Sequence, residues 1–280
     1  TRKNFITTLL GAGVTGLAGL TYFRKIEPFR LKEVQTTIKL SKDGSFAPLT
    51  LLHLSDFHVS KSIPLSFIEE AFSLGSAHRP DLICLTGDFI THRVADPGPY
   101  VALLERLAAC APTFACIGNH DGGRWVHPHG GYKDLSVVFQ LLEDSGIRCL
   151  FNRSESITVR DRLVTLVGLG DLWAGDAHPD KAFEAVAPDP AAIRIVLSHN
   201  PDSKNLLQRQ TWDLMLCGHT HGGQMVLPFI GTPLAPVADH RYVAGLNAWS
   251  NRWIYTTRGV GCLHGIRINC PPEVSILTIT

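Results

Sequence analysis

From Leu51 onward, short apolar runs alternate with stretches in which apolar residues recur at helical spacing. Leu51-Leu52-His53-Leu54 is strand-like, and residues 64–79 set Phe67, Ile68, Ala71, Phe72 and Leu74 on one helical face. The order repeats: a strand over 81–88, a helix over 100–107, a strand over 113–120, a helix around Leu135, Val138, Phe139 and Leu142, and a short strand from 147 to 150. After Ile157 the pattern becomes strand-rich, with runs at 157–159, 163–169, 193–197, 214–216, 253–256 and 274–279. Upstream of the body, Val34, Thr36, Ile38 and Leu40 alternate with Gln35, Thr37 and Lys39, as in an edge strand. An α/β first half followed by a strand-rich second half predicts an α/β fold of two packed mixed β-sheets flanked by helices.

The amino terminus does not share this pattern. Residues 5–23 carry no charge, follow Arg2-Lys3 and stop at Arg24-Lys25, a length just sufficient to span a bilayer. The chain is therefore expected to divide into a membrane anchor or export signal over 1–25, a connecting segment over 26–48 and a catalytic domain over 49–280. Arg24, Lys25, Arg30 and Lys32 outnumber Arg2 and Lys3, which favours a cytoplasmic body. Arg2-Lys3-Asn4-Phe5-Ile6, in contrast, is similar to a twin-arginine export signal with lysine as the second basic residue, and would send the body outside. The expected location is the inner (cytoplasmic) membrane, with the side of the membrane and removal of the segment left open.

With 45% hydrophobic and 18% charged residues and a net charge of +1, the chain has the make-up of a globular enzyme body, and no nucleic-acid partner is expected. Seven cysteines without a CxxC pair read as small buried hydrophobes and favour a reducing compartment.

The chemistry collects where apolar runs end. Asp56-Phe57-His58, Gly87-Asp88, Gly118-Asn119-His120-Asp121, Ser198-His199 and Gly218-His219-Thr220-His221 each close such a run. Asp56 and His58, two apart at a strand end, project from one face and can grip one ion. In a sheet of parallel strands, ligands gather beyond the carboxyl ends, where all these residues fall. A carboxylate such as Asp88 can bridge two cations, while the Asn119 amide and the imidazoles complete the shells without excess negative charge. Two ions about 3.5–4 Å apart could share a hydroxide and clamp a phosphoryl oxygen during in-line displacement.

These five blocks, in this order, resemble the calcineurin-like metallophosphoesterase superfamily from about Leu51 to the carboxyl terminus. Residues 111–116, 170–175, 199–204 and 255–261 are similar to its YaeI-type bacterial phosphodiesterases. The resemblance implies that Asp56, His58 and His221 hold one divalent ion, that Asn119, His199 and His219 hold the other, and that Asp88 bridges them. It implies that His120 binds no metal but faces the phosphoryl group or leaving oxygen, and that Asp121 orients it. The ions expected are Mn, Fe or Zn, since such nitrogen and oxygen shells accept each.

The other histidines have plainer readings. His53, three residues before Asp56, suits a packed core position. His127 and His129 belong to a Gly-rich loop that is either solvated or the rim of the site, and His78, His92, His178, His240 and His264 default to surface or loop roles. Asp171, Asp176 and Arg258 are either substrate contacts or structural. The apolar loop over 225–237 either packs on the second sheet or forms a hydrophobic lip for an acyl chain or membrane.

The resulting expectation is a membrane-tethered, two-metal phosphodiesterase that uses a metal-bound hydroxide on a phosphodiester, with a lipid-linked substrate as the extension. A narrower alternative, drawn from the same resemblance, is a UDP-2,3-diacylglucosamine pyrophosphate hydrolase of lipid A synthesis. An alternative of another class is a non-catalytic metal-binding scaffold, which loss of a ligand block would favour; none is lost.

Overall fold

The apolar runs become strands buried on both faces, which is why several read as continuous rather than alternating. A computed structural model describes residues 19–40 and 47–280. In chain order the elements are β1 (Lys32–Ile38), β2 (Leu49–Leu54), α1 (Leu65–Ser76), β3 (Leu82–Thr86), α2 (Gly98–Ala108), β4 (Thr113–Cys116), α3 (Ser136–Asp144) and β5 (Arg148–Cys149). There follow β6 (Arg153–Val159), β7 (Arg162–Gly168), α4 (Pro179–Phe183), β8 (Ile193–Leu197), β9 (Leu214–Cys217), β10 (Gly245–Trp249), β11 (Arg252–Thr256) and β12 (Glu273–Ile279).

They form two six-stranded mixed sheets, ordered β1-β12-β2-β3-β4-β5 and β10-β11-β9-β8-β7-β6. In the first, β2 to β5 are parallel, β12 runs against β2 with Ser275 opposite His53, and β1 lies parallel to β12. In the second, β7, β8, β9 and β11 are parallel and the edges β6 and β10 are antiparallel to their neighbours.

Strand alternation assigns the packing. Leu51, Leu82 and Phe114 meet Leu166, Ile195, Leu197, Leu214 and Leu216 between the sheets. Their neighbours Leu52, Leu54, Ile83 and Leu85 pack outward on Phe67, Ile68 and Phe72 of α1, Leu103 and Leu104 of α2, and Leu141 and Leu142 of α3. Val167, Val196, Met215 and Ile254 on the far face of the second sheet bury Ala182, Leu207, Trp212 and Tyr242. Layers of helix, sheet, sheet and mostly irregular cover result.

Residues 26–48 contribute β1 to the first sheet, so the alternation over 34–40 is that of an edge strand. The charge-free stretch lies mostly within residues 1–18, outside the described residues. Among the described residues no helix is long and apolar enough to cross a membrane.

Candidate metal centre

The parallel strands of both sheets stop at one edge of the sandwich, and the five sequence blocks occupy the turns there. Asp56 and His58 follow β2, Asp88 follows β3, Asn119 to Asp121 follow β4, His199 follows β8, and His219 and His221 follow β9. Backbone hydrogen bonds stitch these turns: Asp56 N–H donates to Gly87 O at 3.0 Å, His58 N–H to Asp88 O at 3.0 Å, and Gly218 N–H to His199 O at 3.0 Å. The turns also approach too closely for side chains in two places. A Cβ on Gly118 would overlap the Asp88 carboxylate, and one on Gly218 would overlap that of Asp56.

Asp56, His58, Asp88, His219 and His221 all have positive φ, between 48° and 69°. Each left-handed non-glycine residue costs about 1–2 kcal/mol, a strain that concentrates where function demands a fixed geometry. Asp and His are among the types that tolerate it best.

Two clusters of donor atoms result, Asp56 with His58 and His221, and Asp56 with Asp88 and His199. His58 Nε2 lies 3.0 Å from His221 Nε2, and His221 Nε2 lies 3.4 Å from Asp56 Oδ1. Asp88 Oδ2, in the second cluster, also reaches the first, lying 3.1 Å from His199 Nε2 and 3.3 Å from His58 Nε2. His199 and His219 meet edge-on with ring centroids 5.0 Å apart.

The residues fit divalent cations. Asn119 Oδ1 and His219 Nε2 are buried without a hydrogen-bond partner, and His199 Nε2 is buried with the Asp88 carboxylate 3.1 Å away. Orphaning a buried polar atom costs about 1–3 kcal/mol, which a coordinated cation removes. His199 Nδ1 lies 2.6 Å from the Thr86 carbonyl, which can only accept, so Nδ1 carries a proton and Nε2 is the nitrogen that faces a cation.

Burial drives His58 and His219 down to about 3 and His221 well below its ordinary value, so their rings are neutral donors. Burial raises Asp56 to about 6. It would raise Asp88 too, but His199 and His120 outweigh it and hold that carboxyl well below the usual range. His199 is the reciprocal case: burial lowers it, and Asp88 pulls it well above the imidazole range. A cation beside Asp88 would draw on the same attraction.

His120 lies beside these clusters, its ring 4.9 Å edge-on from that of His58. Its Nδ1 is 2.9 Å from the Thr91 carbonyl, which assigns Nδ1 the proton and leaves Nε2 for the cavity that His120 lines. The expected pairing of Asp121 with His120 needs correction. Asp121 accepts from the backbone N–H groups of Gly118 at 2.8 Å, Asp88 at 2.9 Å and Phe89 at 2.7 Å, so it ties the β3 and β4 turns together while Thr91 orients the imidazole. Burial pushes Asp121 up to about 8.

Residues 49–223 match the model of the calcineurin-like phosphoesterase family. The chain belongs to that family. It is 44% identical to phosphodiesterase YaeI of Escherichia coli (strain K12), over 99% of this chain and 98% of that protein. It is also similar to the uncharacterized metallophosphoesterase YkuE of Bacillus subtilis (strain 168), at 28% identity over 99% and 97% of the two chains. The UDP-2,3-diacylglucosamine pyrophosphatase LpxG of Chlamydia muridarum (strain MoPn / Nigg) is 29% identical over 90% of each chain.

In this member of the family a cavity of about 710 Å³ opens beside the ligands. Trp125, Trp173, Met225, Leu234, Leu263 and Ile266 form much of its wall. Trp125 meets His120 with centroids 4.8 Å apart and Trp173 meets His219 at 4.3 Å, so the indoles join the wall to the ligand cluster. His92 and His264 also line the cavity, beyond the surface or loop roles that sequence assigns them by default, and His129 takes the rim position that was one of its two readings. His53 is a packed core residue, its Nε2 2.9 Å from Thr86 Oγ1. Arg258 pairs with Glu273 at 2.7 Å, a structural role. Asp171 is buried, accepts from Ala174 N–H at 2.7 Å, and is raised to about 6 by burial.

Sequence reading misses Arg267, which is fully buried and donates to the carbonyls of His221, Cys270, Arg258 and Gly261. It clamps the turn carrying His221 to those after β11 and before β12. A lone arginine between two isoleucines gives no sequence signal for that role; Trp125, four residues after the third ligand block, does.

Proposed function

We propose that this chain hydrolyses a lipid-linked phosphodiester with two divalent cations, held by Asp56, His58 and His221 on one side and Asn119, His199 and His219 on the other. The observation that carries the two-cation reading is Asp88 Oδ2, placed 3.3 Å from a nitrogen of the first set and 3.1 Å from one of the second. Hydrolysis of phosphoric diesters with metal is the coarser part of the reading and rests on family membership and the 44% identity to a phosphodiesterase.

The cations would neutralise phosphoryl oxygens and lower the pKa of an attacking water. The protein's own groups do the rest. His120, its Nδ1–H donated to Thr91, offers Nε2 to the phosphoryl or leaving oxygen, to which a doubly protonated ring donates a proton. The lipid-linked extension is supported by the indole and aliphatic wall beside the ligands. The pyrophosphate bond of UDP-2,3-diacylglucosamine is the narrower candidate, favoured by the relative that bears that name.

The test is elemental analysis of the purified protein alongside turnover of bis(p-nitrophenyl) phosphate, p-nitrophenyl phosphate and UDP-2,3-diacylglucosamine. Two equivalents of metal, preference for diesters and loss of activity with a chelator are expected. One equivalent would overturn the two-cation reading. Absence of turnover on all three, unchanged by His120→Ala, would favour a binding scaffold.

A further inference from the structure

The loop after the last ligands leaves its tip uncovered. Its tip is a closed turn, with Leu227 N–H donating to Gly231 O at 2.8 Å and Gly231 N–H to Leu227 O at 2.9 Å. That turn presents Phe229 fully exposed and Ile230 68% exposed, and Leu234, 67% exposed, continues the apolar surface to the cavity wall. Phe229 also has a φ of 65°, a region that bulky residues avoid. This side chain gains neither burial nor backbone ease from the folded chain.

The topology brings a second apolar element to the same end. β1 runs parallel to β12, and β12 runs against β2, so β1 begins where β2 finishes, at the ligand end. The chain leading into β1 is fastened there: Arg267 N–H donates to Phe23 O at 3.0 Å, and Cys270 N–H to Glu27 Oε1 at 2.5 Å. The next residue after Arg267, Ile268, bridges Met225 at the base of the apolar loop, and Val226 N–H donates to Ile268 O at 2.8 Å. The exit of the charge-free amino-terminal stretch and the apolar loop thus sit on either side of one short segment, residues 267–270. Ile26 and Phe29 are exposed on the amino-terminal side, with Arg24, Lys25 and Arg30 exposed among them.

We propose that this end of the sandwich docks on a lipid bilayer, with the Phe229-Ile230 turn entering the interface, Arg24, Lys25 and Arg30 meeting anionic headgroups, and the cavity opening at the lipid surface. Aromatic and aliphatic tips combined with flanking cations are the chemistry of interfacial binding. The inference deepens the lipid-linked reading of the site, because a substrate held in the bilayer would enter the cavity from its plane. Docking itself needs no turnover and stands apart from that reading.

The experiment places a tryptophan at each end of the full chain. Phe229→Trp marks the apolar turn, and Lys39→Trp, exposed just past the end of β1, marks the opposite end. Each is mixed with vesicles of phosphatidylcholine and phosphatidylglycerol, with and without brominated acyl chains, and the wild-type emission is subtracted. The Phe229→Trp signal should shift to the blue and be quenched at least twofold by brominated lipid, while the Lys39→Trp signal stays as in water. Replacing phosphatidylglycerol with phosphatidylcholine should weaken the effect. Equal quenching in both variants, an unquenched Phe229→Trp signal on vesicle-bound protein, or failure to bind vesicles at all would overturn the proposal. Thermal melting of each variant verifies folding, so the result stands even if no diester is turned over.

Discussion

The two sheets arrive at the same edge with different chemistry. The first supplies every candidate oxygen ligand, Asp56, Asp88 and Asn119, and the second supplies only imidazoles, His199, His219 and His221. The turns of the first sheet are tied by their own carboxylates, Asp88 accepting from His120 N–H at 2.9 Å and Asp121 accepting from amides of both the β3 and β4 turns. The second sheet instead continues from its last ligand into a loop that lines the cavity and carries exposed apolar side chains. One sheet therefore sets the negative charge that attracts cations, and the other governs what else can approach them.

The sharpest way to break this division is Asp88→Asn, which keeps shape while removing the charge that reaches both clusters. It should lower diester turnover by about 10³-fold, the scale of losing a preorganised electrostatic group, and reduce bound metal by elemental analysis. Retained metal with retained rate would show that the second sheet's imidazoles suffice. With His120 in its proposed place at the phosphoryl or leaving oxygen, His120→Ala should cost about 10²-fold in kcat with metal content intact. A parallel fall in metal would move His120 into the ligand set.

Within the second sheet, His219→Ala and His221→Ala should each lower the affinity of one ion by at least about 10-fold, and not the same ion. Metal titration distinguishes the outcomes, because equal loss of both ions in both variants would contradict the divided assignment.

The smallest effect tests the seam between the sheets. His53 of β2 lies edge-on to Tyr255 of β11 at 5.9 Å, and burial lowers its pKa to about 3. The unfolded imidazole, near 6.5, binds protons that the folded one does not, so stability rises with pH across this window and is lost as pH falls from about 6.5 toward 3. The dependence has a ceiling of about 1.4 kcal/mol per pH unit for one group. Denaturant titrations from pH 7 to 4 should show a shallower slope for His53→Leu than for the wild type. Identical slopes would mean that His53 is already neutral in the unfolded chain or charged in the fold.

Much of this was legible in the sequence because buried strands and metal ligands both leave local marks. Apolar runs of about 4 to 8 residues marked most strands, and the blocks at their ends held the side chains that the structure gathers into the two clusters. What stayed hidden depends on distant partners. Asp121 lies next to His120 in sequence, yet its carboxylate is occupied by amides of the turns after β3 and β4, and the carbonyl that orients His120 belongs to Thr91, 29 residues away. The strand β10 lacks an apolar run because its edge position leaves it only half-buried. The apolar loop was ambiguous for a related reason: hydrophobicity alone cannot tell a buried segment from one waiting for another surface.

The left-handed turns at Asp56, Asp88, His219 and their neighbours restrict how this site can drift. An alanine there removes the ligand and keeps the steric penalty of a Cβ at positive φ, whereas glycine removes the ligand and the penalty together. Two substitutions that look equivalent as deletions therefore separate in their thermal tolerance. Over many generations the same asymmetry would let a lineage that abandons the metal pass through glycine, asparagine or aspartate, and would close the route through valine or isoleucine.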